Sequence, residues 1–398
     1  MANEATYLFD AFPEISKAAW IEEINKSLKG KSYEDLQWQL ESALSVAPFY
    51  HPEDVTAHHP PLSTGKHFND WEVGEVIEVA DDFAQANTEA IQALMGGVNA
   101  PLFALNAAPD AQDLARLLHR IEPEYVSLHF SELYSEQDPA GLFELLHDWV
   151  KGLGKDLLQV KGSMNFDPLH DWSEPPLAIL AELIQRSASV WPSFKVLQIN
   201  AGEFYSNANA TSDELALTIA KGSEYLALMS DEGLSPALVN GQMQFALDIG
   251  SSYFVQIAKI RALRLLWANV LAGYGVSDAP AVPIVAHFAK ASQDEDIHTN
   301  MIRAATQAMS AIIGGADRLY VLPANAALGE ASEAFHRRIA RNVQHLLQLE
   351  SHLGYVVDPS AGSYYLEQLT TLLAEKAWTK FQEIEKGGGY LNFKRATE

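Results

Sequence analysis

The feature that most constrains this chain is an alternation of short apolar runs with long amphipathic stretches from about residue 100 onward. Each apolar run precedes a stretch with the 3.6-residue periodicity of a helix, and the unit occurs eight times. Strands that alternate with helices form parallel sheets, because parallel neighbours need a crossover connection. The predicted strands are Pro101–Asn106, Tyr125–Phe130, Leu157–Ser163, Lys195–Asn200, Met243–Ile249, Ala281–Ala289, Arg318–Leu322 and Tyr355–Val357.

Eight such units over about 285 residues fit a (β/α)8 or TIM barrel, which typically needs about 250 residues. An open, doubly wound α/β sheet is the alternative, and the number of units favours the barrel. Thr211 or Ser212 with Glu214 predicts a capping box, and Gly314 with Gly315 predicts a helix end. The helical stretches are Ala111–His119, Gly141–Lys151, Leu177–Ser187, Ser212–Met229, Ser252–Val270, Thr299–Ile313, Glu333–His352 and Tyr364–Glu385.

Two segments lie outside this alternation, at 1–99 and 387–398. The first is predicted to form an N-terminal helix, Glu14–Leu28, followed by an extended arm, Pro48–Pro61. The second is predicted to be a C-terminal linker stub, which leaves the barrel at 100–386. The arm holds three histidines, but its prolines fix no ligand geometry, so no metal site is expected there.

Composition excludes several classes of function. The net charge of −25 disfavours nucleic acid, because binding the phosphate backbone needs clustered lysines and arginines. No apolar run reaches the roughly 18 residues that span a bilayer, so no membrane partner is expected. The sequence has no cysteine, and Met1–Asp10 lacks the features of a signal peptide. Disulfides and thiolate sites are therefore excluded, and a cytoplasmic location is expected.

In a barrel, functional groups collect at the carboxyl ends of the strands. No glycine-rich phosphate-binding loop or nucleophile–base pair stands out there, and Asp296 before His298 is interpreted as a helix cap. On the fifth helix, Lys259, Arg261 and Arg264 could pair with neighbouring acidic groups or with an acyl-CoA phosphate. The polar groups at predicted strand ends are Asn106, His129, Ser163, Asn165, Asn200–Asn207, Tyr253, His287, Lys290, Asn325 and Asp358–Tyr365.

The segment Asp358–Glu367 has the composition of a turn. Pro359 fixes φ, and Gly362 permits a backbone that other residues resist. Ser363 is placed to cap a helix that begins at Tyr364. From the residues alone, the segment predicts a strand-to-helix loop.

Four segments of the predicted barrel form a pattern. They are Ile257–Trp267, Asn300–Arg303 followed by Gly314 and Gly315, Arg338–Asn342, and Asp358–Glu367. In order and spacing, they resemble segments of the methylmalonyl-CoA mutase family. Through Trp20, Leu28–Gly30 and Pro48–Asp54, the N-terminal part is similar to the small subunit of the bacterial heterodimeric enzyme.

The resemblance implies part of an adenosylcobalamin-dependent isomerase that interconverts methylmalonyl-CoA and succinyl-CoA. The implied substrate threads the barrel, and cobalamin caps the C-terminal face. For a small subunit, the implied partner is a catalytic large subunit, contacted through the N-terminal arm in a heterodimer. Acyl-CoA and adenosylcobalamin are then expected in the assembled enzyme, and no cofactor is expected on this chain alone.

The chain departs from the family's site at several positions. Phe204 stands where the catalytic subunit has a histidine that assists at the substrate carbonyl, and phenylalanine cannot donate a hydrogen bond. Glu203 replaces the preceding tyrosine, and the family's carboxylate-binding arginine is missing from Asp167–Pro176. Other departures are Ser163, Asn165, Glu75–Ile77, Val285 and Asp317, whereas His287 is retained.

These departures lead us to expect no catalytic residue and no metal. The preferred hypothesis is a noncatalytic small-subunit barrel that supports a catalytic large subunit. The alternatives are an active acyl-CoA mutase with an altered substrate and a stand-alone ligand-binding barrel.

The family's cobalt-binding motif lies beyond its barrel, and Asp296–Met301 lacks the glycine of that motif. The chain is thus expected to be a truncated piece or to lack that domain. The candidates for lining a pocket are Ser163, Asn165, Glu203, Phe204, Tyr205, His287 and Asp317.

Overall fold

The computed structural model describes residues 12–42, 44–55, 66–329 and 334–397. An antiparallel N-terminal hairpin, β1 (Trp38–Glu41) and β2 (Leu44–Val46), precedes the main sheet. Nine parallel strands within the described residues form that sheet. They are β3 (Glu72–Val79), β4 (Ala100–Leu105), β5 (Leu128–Glu132), β6 (Gly162–Met164), β7 (Phe194–Lys195), β8 (Leu197–Asn200), β9 (Met243–Ile249), β10 (Ile284–Phe288) and β11 (Arg318–Tyr320).

The sheet closes on itself. Its order is β7-β6-β5-β4-β3-β11-β10-β9-β8, and only Val196 separates the two edge strands along the chain. The N–H groups of Val196 and Leu197 both donate to the Gln242 carbonyl, and Gln198 donates to the Phe166 carbonyl at 2.9 Å. One interrupted strand therefore pairs with both edges and closes a barrel of eight strands. The predicted TIM barrel is confirmed.

Helices surround the barrel and connect its strands. Among the described residues, none is long and apolar enough to cross a bilayer. A π-helical turn, Leu346–Glu350, follows the eleventh of them. The helices are α1 (Lys17–Ser27), α2 (Phe83–Met95), α3 (Ala111–Leu117), α4 (Pro139–Gly152), α5 (Pro168–Asp171), α6 (Leu177–Val190), α7 (Thr211–Asp231), α8 (Pro236–Gly241), α9 (Tyr253–Gly273), α10 (Ile297–Gly314), α11 (Ala334–His345), α12 (Tyr364–Lys386) and α13 (Tyr390–Thr397).

The number of barrel strands is as predicted, but the first and last were misassigned. The predicted strand Tyr355–Val357 is wrong, because these residues form bends and Tyr355 is 68% exposed. The first barrel strand is instead β3, whose glutamates and Gly74 interrupt the apolar pattern. The division of the chain into an arm, a barrel and a stub stays a prediction, although the barrel sheet already begins at Glu72.

Successive side chains of each strand point to opposite faces of the sheet, and this alternation produces two separate apolar cores. The larger lies between the barrel and its helices and includes Phe103, Phe130 and Leu247. The smaller lies on the barrel axis, because its members point to the opposite side of the same strands. It consists of Leu102, Ala246, Val285 and Tyr320, with Val76 packed against it.

The start of α7 is capped from a distance. The predicted capping box is wrong, since Glu214 pairs with Lys259 rather than with the helix end. Glu41 of the N-terminal hairpin instead accepts from the Ser212 N–H at 2.8 Å and from its hydroxyl. Lys376 of α12 lies 3.0 Å from the same carboxylate. A buried carboxylate at a helix N-terminus compensates the free N–H groups there, so the hairpin is anchored to the barrel.

Of the other three predicted helix ends, two are confirmed and one lacks its capping hydrogen bond. Gly315 ends α10 with φ 92°, as predicted. Asp296 caps α10 by accepting from the His298 N–H at 3.0 Å, which confirms that interpretation. Ser363 occupies the cap position of α12, but its side chain makes no capping hydrogen bond.

The predicted C-terminal linker is largely helical. Tyr390, the first residue of α13, is buried, and its N–H donates to Glu224 at 2.8 Å. Lys394 donates to the Leu169 carbonyl at 2.9 Å. The last helix is therefore held against α7 and the loop that contains α5.

A buried guanidinium joins α9 to the Asp358 loop. Arg261 binds both carboxylate oxygens of Asp358, at 2.9 and 3.1 Å, and Glu367 at 3.0 Å. Glu367 also accepts the Gly362 N–H at 2.9 Å, where the backbone has φ 82°. The loop is thus shaped by one cation and two carboxylates. Of the two partners considered for the α9 cations, the acidic neighbours are confirmed.

We expect Arg261→Met to destabilise the fold by about 3–5 kcal/mol, because it leaves two buried carboxylates without their cation. Chemical denaturation followed by circular dichroism measures the loss. Arg116→Met is the matched control, since the Arg116 side chain is 53% exposed and its ion pair is worth at most about 1 kcal/mol. Equal effects of the two substitutions would contradict this account of the loop.

Candidate functional site

The loop after β8 packs onto a buried ionic network. Asp167 accepts from the Asn200 N–H at 2.8 Å, from Tyr225 at 2.6 Å and from Lys221 at 2.6 Å. Lys221 is fully buried on α7 and also pairs with Glu203. The loop after β8 is therefore attached to the frame of the barrel.

Glu203 faces this network. It accepts a hydrogen bond from His170 at 2.7 Å in addition to its ion pair with Lys221. Burial would raise the pKa of Glu203, but His170 and Lys221 hold it below its ordinary value. The hydrogen bond that His170 donates to Glu203 in turn raises the pKa of His170 against the effect of burial. Glu203 is thus an ion-pair partner with both of its oxygens engaged.

Phe204 packs between α7 and α13. Its ring meets Tyr390 edge-on at a centroid distance of 6.0 Å, and the Lys221 ammonium lies 5.7 Å from its centroid. The side chain therefore contributes apolar contact to the C-terminal helix. A hydrogen-bonding group at this position would face α13.

Tyr205 lies beside a second buried ion pair. Its ring centroid is 5.0 Å from the Lys259 ammonium, which binds Glu214 at 2.9 Å. Its hydroxyl occupies the space that a side chain at position 250 would need, since a Cβ there would lie 2.0 Å from the oxygen. Gly250 thus permits the close approach of Tyr205 to the end of β9.

A chain of hydrogen bonds crosses the barrel interior. Ser163 is fully buried and bonds His129 Nδ1 at 2.8 Å. Gln244 donates to Ser163 at 3.2 Å, to Gln198 at 2.8 Å and to Asn165 at 3.4 Å. Ser163 and Asn165 therefore belong to one interior network, whose members lie on four neighbouring strands or the loops that follow them.

His129 continues this network to an ion pair. Its Nε2 lies 3.6 Å from Glu72, and Glu72 accepts from Arg318 Nε at 2.7 Å. Burial and the nearby Arg318 charge lower the pKa of His129 to about 4, so the imidazole is neutral at pH 7. Burial would raise the pKa of Glu72, but Arg318, His129 and Ser127 hold it well below its ordinary value.

The barrel axis is filled at mid-height by Tyr320. Its ring lies over Gly74, where a Cβ would come within 2.5 Å of it. His287 stacks on the same ring at 4.7 Å, and burial and Arg318 lower the pKa of His287 to about 4. With Leu102 and Val285, Tyr320 forms an apolar plug across the axis.

Asp317 lies at the other end of the barrel, before β11. It binds Lys66 at 2.8 Å and Arg264 at 2.9 Å and accepts the Ile284 N–H at 2.7 Å. Burial would raise its pKa, but Arg264 and Lys66 hold it below the ordinary value. The candidate residues are thus divided among the C-terminal loops, the interior and the N-terminal face. That these residues line a pocket stays a prediction.

Neither the Asp296–Met301 segment nor the arm presents the cobalt-ligating motif that the resemblance implies. His298 is exposed, and Asp296 is occupied in capping α10. In the arm, His51 bonds the Ile15 carbonyl at 3.0 Å, and the other two histidines lie outside the described residues. Elsewhere in the described chain, Glu144, His147 and Asp148 of α4 lie close enough to hold an ion, but Arg186 already occupies Glu144.

Sequence reasoning missed Lys221 and Tyr225, because charged and phenolic groups inside helices are usually solvated, and it missed Asp167 in the loop before α5. The repeated pairing of Lys221 with loop carboxylates could be recognised only after the loop was placed. It also missed Glu72 and Gly74, since β3 was assigned to the arm. The glycine at a strand centre was the available signal there.

We expect His170→Gln to lower stability most at acid pH. The pKa of His170 is raised in the fold, so its protonated form stabilises below the ordinary value of about 6.5. That contribution is lost as pH rises through the raised pKa. Denaturant unfolding between about pH 5 and pH 8 should show the difference between the variant and the parent shrinking with pH. Glu203→Gln should flatten this dependence, and a difference that grows with pH would contradict the pairing.

The comparisons with known proteins agree with the sequence motifs. The family model described as methylmalonyl-CoA mutase matches residues 107–395. A methylmalonyl-CoA mutase small subunit from Porphyromonas gingivalis is 34% identical, with 98% of this chain and 66% of the relative covered. A small subunit from Streptomyces virginiae is 30% identical over the same shares of the two chains.

Other relatives match over shorter segments. A methylmalonyl-CoA mutase from Rhizobium meliloti is 38% identical, with 54% of this chain and 31% of the relative covered. Among solved structures, a dihydropteroate synthase from Coxiella burnetii covers 79% of this chain at a TM-score of 0.40 and 11% identity, which is too weak a likeness to bear on function. The chain spans less than two thirds of the length of these curated relatives. On the family model and the small-subunit relatives, the chain belongs to the methylmalonyl-CoA mutase family.

Proposed function

We propose that this chain is the barrel of the small subunit of an adenosylcobalamin-dependent methylmalonyl-CoA mutase. In this proposal it is noncatalytic, acts in the cytoplasm and supports a catalytic large subunit in a heterodimer. The observation that carries the proposal is the filled barrel axis, where Tyr320 lies across Gly74 and packs with Leu102 and Val285. A substrate that threads the barrel needs this space.

Opening the axis would be costly. Tyr320 is 4% exposed, and its partners in the plug are similarly buried. Removing one large apolar side chain from such a site costs about 1.5–3 kcal/mol, which corresponds to roughly a tenfold to hundredfold loss of acyl-CoA affinity. The plug therefore opposes the binding mode that the family resemblance implies.

The polar groups that an active mutase would need are engaged elsewhere. Glu203 is held by His170 and Lys221, and His287 is stacked on Tyr320. Glu75, in the segment that replaces a substrate-binding segment of the family, points outward and pairs with Arg337 of α11 at 2.6 Å. These contacts support a structural role over an active mutase with an altered substrate.

Adenosylcobalamin would supply the radical chemistry in the assembled enzyme. Because Asp296–Met301 lacks the glycine of the family's cobalt-binding motif, we assign the cofactor and acyl-CoA to the large subunit. What this chain contributes is a closed frame with ordered loops on both faces. The names of the small-subunit relatives support a subunit partner.

We expect the pure chain to convert no methylmalonyl-CoA to succinyl-CoA when adenosylcobalamin is added. The reason is the plugged axis together with Phe204. Phe204→His should also remain inactive, because its side chain faces Tyr390. Product analysis by chromatography measures both, with the assembled two-subunit enzyme as positive control. Turnover by the pure chain would refute the noncatalytic assignment.

We expect the chain to co-purify with a catalytic large subunit of the same family when both are coexpressed and only one carries a tag. Size-exclusion chromatography with light scattering should give one complex of the two chains. A barrel of unrelated sequence with the same tag serves as control. Separate elution of the two chains would favour the stand-alone barrel.

A further inference from the structure

A second candidate site lies at the N-terminal face of the barrel. A cavity of about 560 Å³ opens there, between the segments that lead into the strands. Its lining includes Glu72, Gln244 and Arg318, which also belong to the interior network. The cavity thus extends from solvent to the buried polar groups below the plug.

Arg318 is the most deeply placed cation that borders this cavity without being fully paired. It is 8% exposed, and its Nε donates to Glu72 at 2.7 Å. Among the described residues, Glu72 is its carboxylate partner, and the Tyr320 hydroxyl is the other polar group that interacts with the guanidinium. A guanidinium carries five N–H donors in a planar fork that matches a carboxylate, so Arg318 can hold a second one.

Two further groups support a built site. The Gln244 side chain is fully buried, and its amide oxygen has no hydrogen-bond partner. Trp71 is 3% exposed, lines the same cavity, and its indole N–H is also unpaired. Buried polar groups without partners cost free energy, which a polar ligand can recover.

Two of the lysines that line the cavity are already engaged. Lys66 is paired with Asp317, and Lys195 donates to the Gly241 carbonyl at 2.6 Å. Lys161, at the rim, has no partner among the described residues. Asp70 and Glu124 also line the rim and favour a small anion over a highly charged one.

We propose that this cavity binds a small carboxylate, held in forked geometry by the terminal nitrogens of Arg318. The site is separated from the C-terminal loops by the plug, so it is independent of the proposed role in a mutase. Its occupant enters from the N-terminal face and contacts Gln244 or Trp71 with its remaining polar groups.

The probe is L-lactate, titrated into the full chain at low ionic strength and followed by calorimetry. We expect saturable binding that Arg318→Lys weakens about tenfold, because lysine keeps the charge and loses the fork. Glu72→Gln should strengthen binding several-fold, because it removes the competing carboxylate while keeping the shape. Arg116→Lys, on α3 outside the cavity, should bind lactate as the parent does.

Thermal melts establish that each variant is folded. If Arg318→Lys does not fold, the proposal is tested by Glu72→Gln, which should bind lactate more tightly than the parent chain. Absence of saturable lactate binding to the parent chain overturns the proposal. Equal affinity of the parent and the Glu72→Gln variant also overturns it, since Arg318 would then not be the receptor.

Discussion

The fold depends on the Arg261 guanidinium and its two buried carboxylates. It connects the middle of α9 to the Asp358 loop and to the first turns of α12. Two more cations of α9 form ion pairs with neighbouring elements. Lys259 binds Glu214 of α7, and Arg264 binds Asp317 before β11. A buried cation is tolerated only when its partners are fixed, so three cations on one helix set the positions of several neighbours at once.

The residues of the family motifs and the residues at the altered positions make different kinds of contact. The retained α9 segment and the Asp358 loop carry ion pairs that shape the frame. Several of the positions that depart from the family motifs make structural contacts in this fold. Phe204 packs on Tyr390, and Val285 belongs to the axial plug. The ion pairs that α9 makes with α7 and with the Asp358 loop thus involve other residues than those at the altered positions.

The repeating units made the barrel predictable, and local turn chemistry made Gly315 and the Asp296 cap predictable. Contacts between distant segments were not. Glu41 replaces the predicted capping box from 171 residues away in the chain, which no local pattern reveals. The strand β3 was missed because its glutamates serve the interior at Glu72 and α11 at Glu75. Tyr355–Val357 was apolar but exposed. For the site, the sequence shows that position 204 is a phenylalanine. The direction of its ring could not be predicted, because it depends on the packing of α13.

The pairing of Gly74 with Tyr320 separates the two ends of the barrel interior. These residues are direct partners in the β3–β11 register, and the ring fills the space above the glycine. Any side chain at position 74 would force the ring away, because its Cβ would lie 2.5 Å from a ring carbon. Below the ring, Arg318 and Glu72 occupy the next interior positions on the same two strands. One glycine therefore allows an aromatic side chain to divide the axis, leaving an apolar plug at mid-height and a polar cavity beneath it.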